Sequence, residues 1–146
     1  MELIPLDPEN RISDEAFLNE KCEEMYSVYA DYYKIIGFHP PWIGYFVFSD
    51  GKVKGMCSFT GAPVGDKVEI AYYTFEDFQG SGVATKAASL LMKIVKDQDL
   101  RLNVFAKTAP AYNASTTILN KLGFIKTGVV QDHEIGDAWL WEYESL

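Results

Sequence analysis

Positive charge is scarce in this sequence: 13 lysines and arginines stand against 21 aspartates and glutamates, a formal net charge of -8. A nucleic-acid binder needs a basic patch, and the lysines here are scattered, so nucleic acid is not expected as a partner and a cationic one is favoured. Long apolar runs are missing as well. The longest candidate, Trp42 to Phe48, falls far short of the ~18 residues of a membrane span, so no membrane-crossing helix is expected. Met1 to Arg11 holds Asp7, Glu9 and two prolines without an apolar core; it reads as neither a secretory signal nor a transit peptide, and a cytoplasmic location is expected. The two cysteines, Cys22 in a helical pattern and Cys57 in a strand pattern, make no disulfide framework and read as buried thiols. No His/Cys/Asp spacing reproduces a metal site, and no Cys/His pair suggests a covalent nucleophile. Repeats, low-complexity tracts and linkers are absent, so residues 1–146 are expected to form a single domain.

What is present centres on residues 68–95. A strand pattern, Val68 to Thr74, is followed by a turn and then by Gln79-Gly80-Ser81-Gly82-Val83-Ala84-Thr85, which opens a helix. A helix start leaves several amides without carbonyl partners, the helix dipole adds partial positive charge, and the two glycines let a bulky anion approach the backbone. A diphosphate is the natural guest. The spacing fits neither a Walker A loop, which needs a lysine that is missing here, nor a dinucleotide fingerprint, which needs a small residue at position 85 where Thr stands.

The pattern that fits is Gln/Arg-x-x-Gly-x-Gly/Ala, supplied by Gln79, Gly82 and Ala84. It resembles the acetyl-coenzyme A loop of the GNAT N-acetyltransferases. Glu69-Ile70-Ala71-Tyr72 before the loop, Gly82 to Ala87 after it, and Asn113-Ala114-Ser115 leading to Leu122-Gly123-Phe124 resemble the branch of that family that acetylates protein N-termini of the ribosomal-protein type. The likeness covers about residues 40 to 130 and extends to the order of its motifs.

Read in order, the chain gives α-β-β-β-α-β-α-β-β. Ser13 is placed to cap a first helix with Leu18, Cys22, Met25, Tyr29, Tyr32 and Ile36 on its apolar face, ending at Gly37. Gly44 to Ser49 and Lys52 to Thr60 form a hairpin about Asp50-Gly51, with Val53, Gly55, Cys57 and Phe59 on one face. The Val68 strand comes third. Ala84, Ala88, Leu91 and Val95 mark the buried stripe of the next helix, which ends between Asp97 and Asp99; a strand from Leu100 to Ala106, a helix from about Asn113 to Leu122, and a hairpin of Phe124 to Gln131 with Asp137 to Glu144 complete the chain. The family resemblance implies an α/β (α+β) fold: a mixed, mostly antiparallel twisted sheet with helices on both faces, whose third and fourth strands are parallel and splayed.

The same resemblance implies acetyl-CoA as cosubstrate and a primary amine as acceptor, with direct transfer and no metal. It places the pantetheine arm against the backbone of Tyr72, Tyr73 and Thr74, the diphosphate on the amides of Gln79, Gly80, Ser81, Gly82, Val83, Ala84 and Thr85, and Asn113 on coenzyme A. Related enzymes often use a glutamate in this strand as the base, and Glu69 occupies the position; a carboxylate desolvated by Tyr72, Tyr73 and Trp42 would have a raised pKa, whereas a solvated strand face would leave it without a role. Many members protonate the leaving thiolate with a tyrosine where this chain has Leu119, so Ser115 is the candidate, with Tyr112 in reserve; Asn113 and Ser115 are equally the residue types that cap a helix. Asp132-His133-Glu134 reads as a solvated turn. A second reading is a silent coenzyme A binding or sensing module, which the leucine at 119 would suit. The acceptor pocket is expected between residues 17–42 and 129–139. Strand edges and the aromatics Trp139, Trp141 and Tyr143 would allow a homodimer as well as a monomer.

Overall fold

The structure, a computed structural model, describes residues 1–98 and 101–143. Seven strands form one sheet in the order β1-β2-β3-β4-β5-β7-β6. They are β1 (Glu2–Pro5), β2 (Gly44–Ser49), β3 (Lys52–Phe59), β4 (Lys67–Thr74), β5 (Asn103–Thr108), β6 (Phe124–Asp132) and β7 (Gly136–Tyr143), with helices α1 (Glu20–Ile36), α2 (Val83–Asp97) and α3 (Ala114–Leu122). Neighbouring strands are antiparallel except β4 and β5, which are parallel across the α2 crossover. The mixed sheet with splayed central strands is therefore present, with α1 on one face and α2 and α3 on the other. On the α2/α3 face Val83, Ala88, Leu91, Val95 and Leu119 pack over Cys57, Phe59, Val68 and Ile70. On the α1 face Cys22, Tyr26 and Tyr29 pack over Phe46, Val53 and Met56. No helix among the described residues is long and apolar enough to cross a membrane.

Several local expectations change. The first eleven residues, given no element in the expected order, contribute a strand: β1 pairs with β2, and Leu6 is fully buried. The Val68 strand is thus the fourth. Asp14, not Ser13, caps a short 3-10 turn (Glu15–Phe17), and Asn19 caps α1 by accepting from the Cys22 amide; the later start rotates the buried face to Cys22, Tyr26 and Tyr29 and leaves Leu18 exposed. Asp50 and Gly51 take φ of 55° and 75°, as a two-residue hairpin of this hand requires. A bulge then moves Val53 to the α1 face while Cys57 and Phe59 stay on the other, because Val47 pairs with Gly55 but Phe48 with Val53. The α2 stripe runs through Val83, Ala87, Ala88, Leu91 and Val95, with Ala84 only half-buried. β5 begins at Asn103; the expected boundaries at Asp99, Leu100 and Glu144 lie outside the described residues. Trp141 is core, its Nε1 donating to Thr108 Oγ1 at 3.0 Å, and Tyr143 packs on Phe124, so these two aromatics do not form the exposed dimer surface anticipated.

Candidate active site

β4 and β5 are joined at Lys67–Asn103, Val68–Val104 and Glu69–Phe105 and then part: β4 continues with β3 as far as Thr74, β5 with β7 as far as Thr108. The fork lies at Glu69. Strand alternation decides which groups face the opening. Thr60 N donates to Glu69 O and Phe75 N to Lys54 O, so odd-numbered residues of β4 turn their amides and carbonyls toward β3; Asn103 N donates to Asp66 O, so even-numbered ones turn toward β5. Beyond the fork, Tyr72 and Thr74 therefore address the gap, and Tyr73, expected there, is spent on the β3 ladder opposite Met56. The Thr74 carbonyl accepts from Gln79 Nε2 at 3.2 Å. Tyr72 is left with both main-chain groups facing the opening.

Past Thr74 the chain makes a 3-10 turn, Glu76–Phe78, and enters the glycine loop. Ser81 Oγ donates to Phe78 O at 2.7 Å and the Gln79 amide to Glu76 O, so the series of unpaired amides begins one residue later than expected, at Gly80. From Gly80 through Thr85, no amide donates to an acceptor among the described residues; the first α2 bond is Lys86 N to Gly82 O. Gly80 and Gly82 have φ of 81° and 80°, and a Cβ built on either meets nothing within 4 Å. Left-handed glycines flanking Ser81 suit a loop whose amides serve an anion, and no acidic residue stands in the first turn of α2 to compete with one.

At the fork, Glu69 points to the α1 face. Its Oε1 accepts from Thr60 Oγ1 at 3.1 Å and lies 3.8 Å from Lys107 Nζ, and that ammonium is 3.9 Å from Asp132 Oδ2. Glu69 Oε2 accepts no hydrogen bond from the described residues. Burial pushes the Glu69 carboxyl above its ordinary range, with Lys107 and the Thr60 hydroxyl pulling the other way. Tyr72 is not among its desolvating neighbours, since the pleat sends that side chain to the opposite face with Val68 and Ile70. The sequence did not single out Lys107, and it read Asp132 as a solvated turn residue. Asp132 does hold the hairpin bend, accepting from the Glu134 and Ile135 amides, while its second oxygen reaches Lys107. Strand alternation in β5, which puts Lys107 on the Phe105 side, was the available signal.

On the α2/α3 face Tyr72 OH donates to Ser115 O at 3.0 Å and lies 3.3 Å from Ser115 Oγ. Burial raises the Tyr72 pKa, so the phenol holds its proton at neutral pH. Asn113 caps α3, its Oδ1 accepting from the Ser115 and Thr116 amides within a capping box closed by Thr116. Leu119 is fully buried. Tyr112 is exposed and rests on Trp139, over which Lys126 Nζ sits at 3.7 Å. A cleft of about 590 Å³ opens on Glu69 from the α1 side, walled by Ile36 at the end of α1, His39 beyond it, the β3–β4 turn and Phe105. Among the described residues no three His, Cys, Asp or Glu side chains are grouped to ligate a metal.

Residues 8–125 match the family model described as an acetyltransferase (GNAT) domain. No curated protein sequence matches significantly. Among solved structures the chain is similar to RimL, a ribosomal L7/L12 alpha-N-protein acetyltransferase, in complex with coenzyme A: TM-score 0.71, 16% identity, 96% of this chain and 91% of that one. It is similar to the microcin C7 self-immunity acetyltransferase MccE in complex with acetyl-CoA and AMP, at TM-score 0.68, 22% identity, 87% and 73% coverage. The IAA acetyltransferase from Bacillus cereus ATCC 14579 gives TM-score 0.67 at 16% identity, with 99% and 97% coverage. At these identities the likeness to solved structures is one of fold.

Proposed function

The chain belongs to the acetyltransferase (GNAT) domain family, and from that premise we propose that it moves the acetyl group of acetyl-CoA to a primary amine, a protein or peptide N-terminus or a small-molecule amine, by direct attack. The observation that carries the reading is the run of six amides, Gly80 to Thr85, without an acceptor among the described residues, at one end of the parted strand whose other end holds the Glu69 carboxylate. The amides suit a diphosphate, and the Tyr72 backbone suits an amide-bearing arm laid along the opening like an added strand. From Thr74 back to Glu69 is about 17 Å at ~3.3 Å per residue, so a thioester fed in from the loop arrives beside the carboxylate.

An alkyl amine with a pKa near ~10.4 arrives protonated, and a carboxylate with a raised pKa is a better base for it than an ordinary one. Glu69 Oε2 takes one proton from the ammonium, directly or through a water, and the freed lone pair bonds to the thioester carbon; the nitrogen gives its second proton to solvent as the tetrahedral intermediate collapses. A backbone amide of β4 steadies the oxyanion. The C–S bond then breaks, and the Tyr72–Ser115 hydroxyl pair supplies the proton for the departing thiolate, in the place of the tyrosine that Leu119 replaces. Asn113, its Oδ1 committed to the cap, has its amide group for coenzyme A.

The alternative, a silent coenzyme A binding or sensing module, draws only on Leu119. Amine-dependent thiol release from acetyl-CoA separates the two. Glu69→Gln is expected to lower kcat/KM by about 10²- to 10⁴-fold while leaving the coenzyme A Kd unchanged. Binding without release from any amine would favour the sensing module, and equal losses in binding and turnover would make Glu69 structural.

A further inference from the structure

The cleft that opens on Glu69 has a composition that narrows the acceptor. Besides Glu69, Lys67, Thr60 and His39, its described lining is apolar: Ile36, Ala62, Pro63 and Val64, with Val64 82% exposed at the rim, and Phe105, which pairs with Glu69 in the sheet. A volume of about 590 Å³ accommodates a small ligand or the first residues of a peptide. Among the described lining residues one carboxylate, Glu69, faces the space, with one oxygen held by Thr60 and Lys107 and the other, Oε2, accepting nothing from the described residues. Two cations stand on the same side of the sheet, Lys67 in the lining and Lys107 beside Glu69, the latter also 3.9 Å from Asp132 Oδ2.

We infer that the acceptor is a monoamine carrying a compact apolar substituent, its ammonium directed to Glu69 Oε2 and its apolar part laid against Ile36, Pro63 and Val64. The inference rests on the transfer reading above. Charge complementarity selects one ammonium and no more. A second one, in a diamine or polyamine, would be held against apolar side chains without a counter-ion and within the field of Lys67. An aminoglycoside would bring several cations and hydroxyls to a wall that has few groups to pair with them. An apolar first residue of a peptide and a free alkylamine present the same chemistry, and the test separates them.

The measurement is kcat/KM of the full chain at saturating acetyl-CoA for 3-methylbutylamine, Leu-Gly-Gly amide, Ser-Gly-Gly amide, 1,4-diaminobutane, spermidine and kanamycin, with coenzyme A binding followed by calorimetry. We expect 3-methylbutylamine or the Leu peptide to exceed the diamine, spermidine and kanamycin by about 10-fold or more, the better of the two naming the source. Val64→Asp should reduce that preference about fivefold or more and leave coenzyme A affinity unchanged. Preference for a polycation, transfer to other amines but to neither apolar one, or an unaltered preference in Val64→Asp would overturn the inference while coenzyme A still binds. Failure to bind coenzyme A, or binding with release from no amine at all, would instead overturn the transfer reading beneath it.

Discussion

At the carboxyl end of β4 the groups on offer are main-chain amides from one unbroken run, Gly80 to Thr85; at the fork, five residues earlier on the same strand, they are side chains gathered from four parts of the fold. Thr60 follows β3, Glu69 sits in β4, Lys107 in β5, and Asp132 at the β6–β7 bend. The first region depends on backbone conformation and the second on side-chain placement. A site of the first kind tolerates changes in most of its side chains and fails when a glycine is lost. One of the second kind should respond to single side chains and to pH, because its carboxylate is balanced between burial and a nearby ammonium.

The sharpest contrast would come from the loop. Gly82→Val places a branched side chain in open space within the run of unpaired amides, at φ 80°. We expect the coenzyme A Kd to rise about 100-fold or more, against a stability loss of about 1–2 kcal/mol for the left-handed residue. Ser81→Ala removes only the hydroxyl bond to Phe78 O and should weaken binding a few-fold, corresponding to about 1 kcal/mol. Calorimetry with circular dichroism as a folding control measures both. A larger effect from Ser81→Ala than from Gly82→Val would remove the distinction between backbone and side-chain sites.

At the fork the corresponding change is Lys107→Met. The ammonium favours the charged form of Glu69, while burial and the Asp132 carboxylate oppose it. Removing the cation should raise the Glu69 pKa further, so the acid limb of kcat/KM moves to higher pH; the loss is largest on the acid side and shrinks as pH rises. Coenzyme A affinity should not change. An equal loss at every pH would assign Lys107 a purely structural part.

The same difference explains what could be read from the sequence. Gln79, Gly82 and Ala84 lie within six positions, and their signal is local, so the loop and the helix it opens were legible, whereas the splay of the strands beside it followed only from the family resemblance. Lys107 and Asp132 come within reach of Glu69 only through the parallel pairing of β4 with β5 and the return of β7 along β5, contacts spanning tens of residues. The Tyr72–Ser115 pair was half legible: both residues were singled out, one for its backbone and one for its hydroxyl, and the phenol's direction follows only once Val68 and Ile70 are known to face α2 and α3. β1 was missed because four residues pairing at a sheet edge carry little periodicity, and the Val53 inversion because a bulge adds one residue without a marker.

The smallest expected effect tests whether burial governs Glu69. Its carboxyl has a folded-state pKa above the unfolded value, so the native state favours the neutral form. The stability this provides is complete below the unfolded pKa, ~4.3 for a glutamate, and is lost as pH rises through the folded value. At neutral pH the wild-type chain therefore carries the residual cost of holding a half-buried charge, which Glu69→Gln removes while keeping an acceptor for Thr60. Glu69→Gln should be slightly more stable than wild type at pH 7, by less than the ~1 kcal/mol typical of point substitutions, and the two thermal midpoints should converge as pH falls below 4. A glutamine variant less stable at pH 7 would mean that the Lys107 pair outweighs desolvation. The carboxyl would then lie below its ordinary range, and the fork would be an ion pair first and a proton acceptor second.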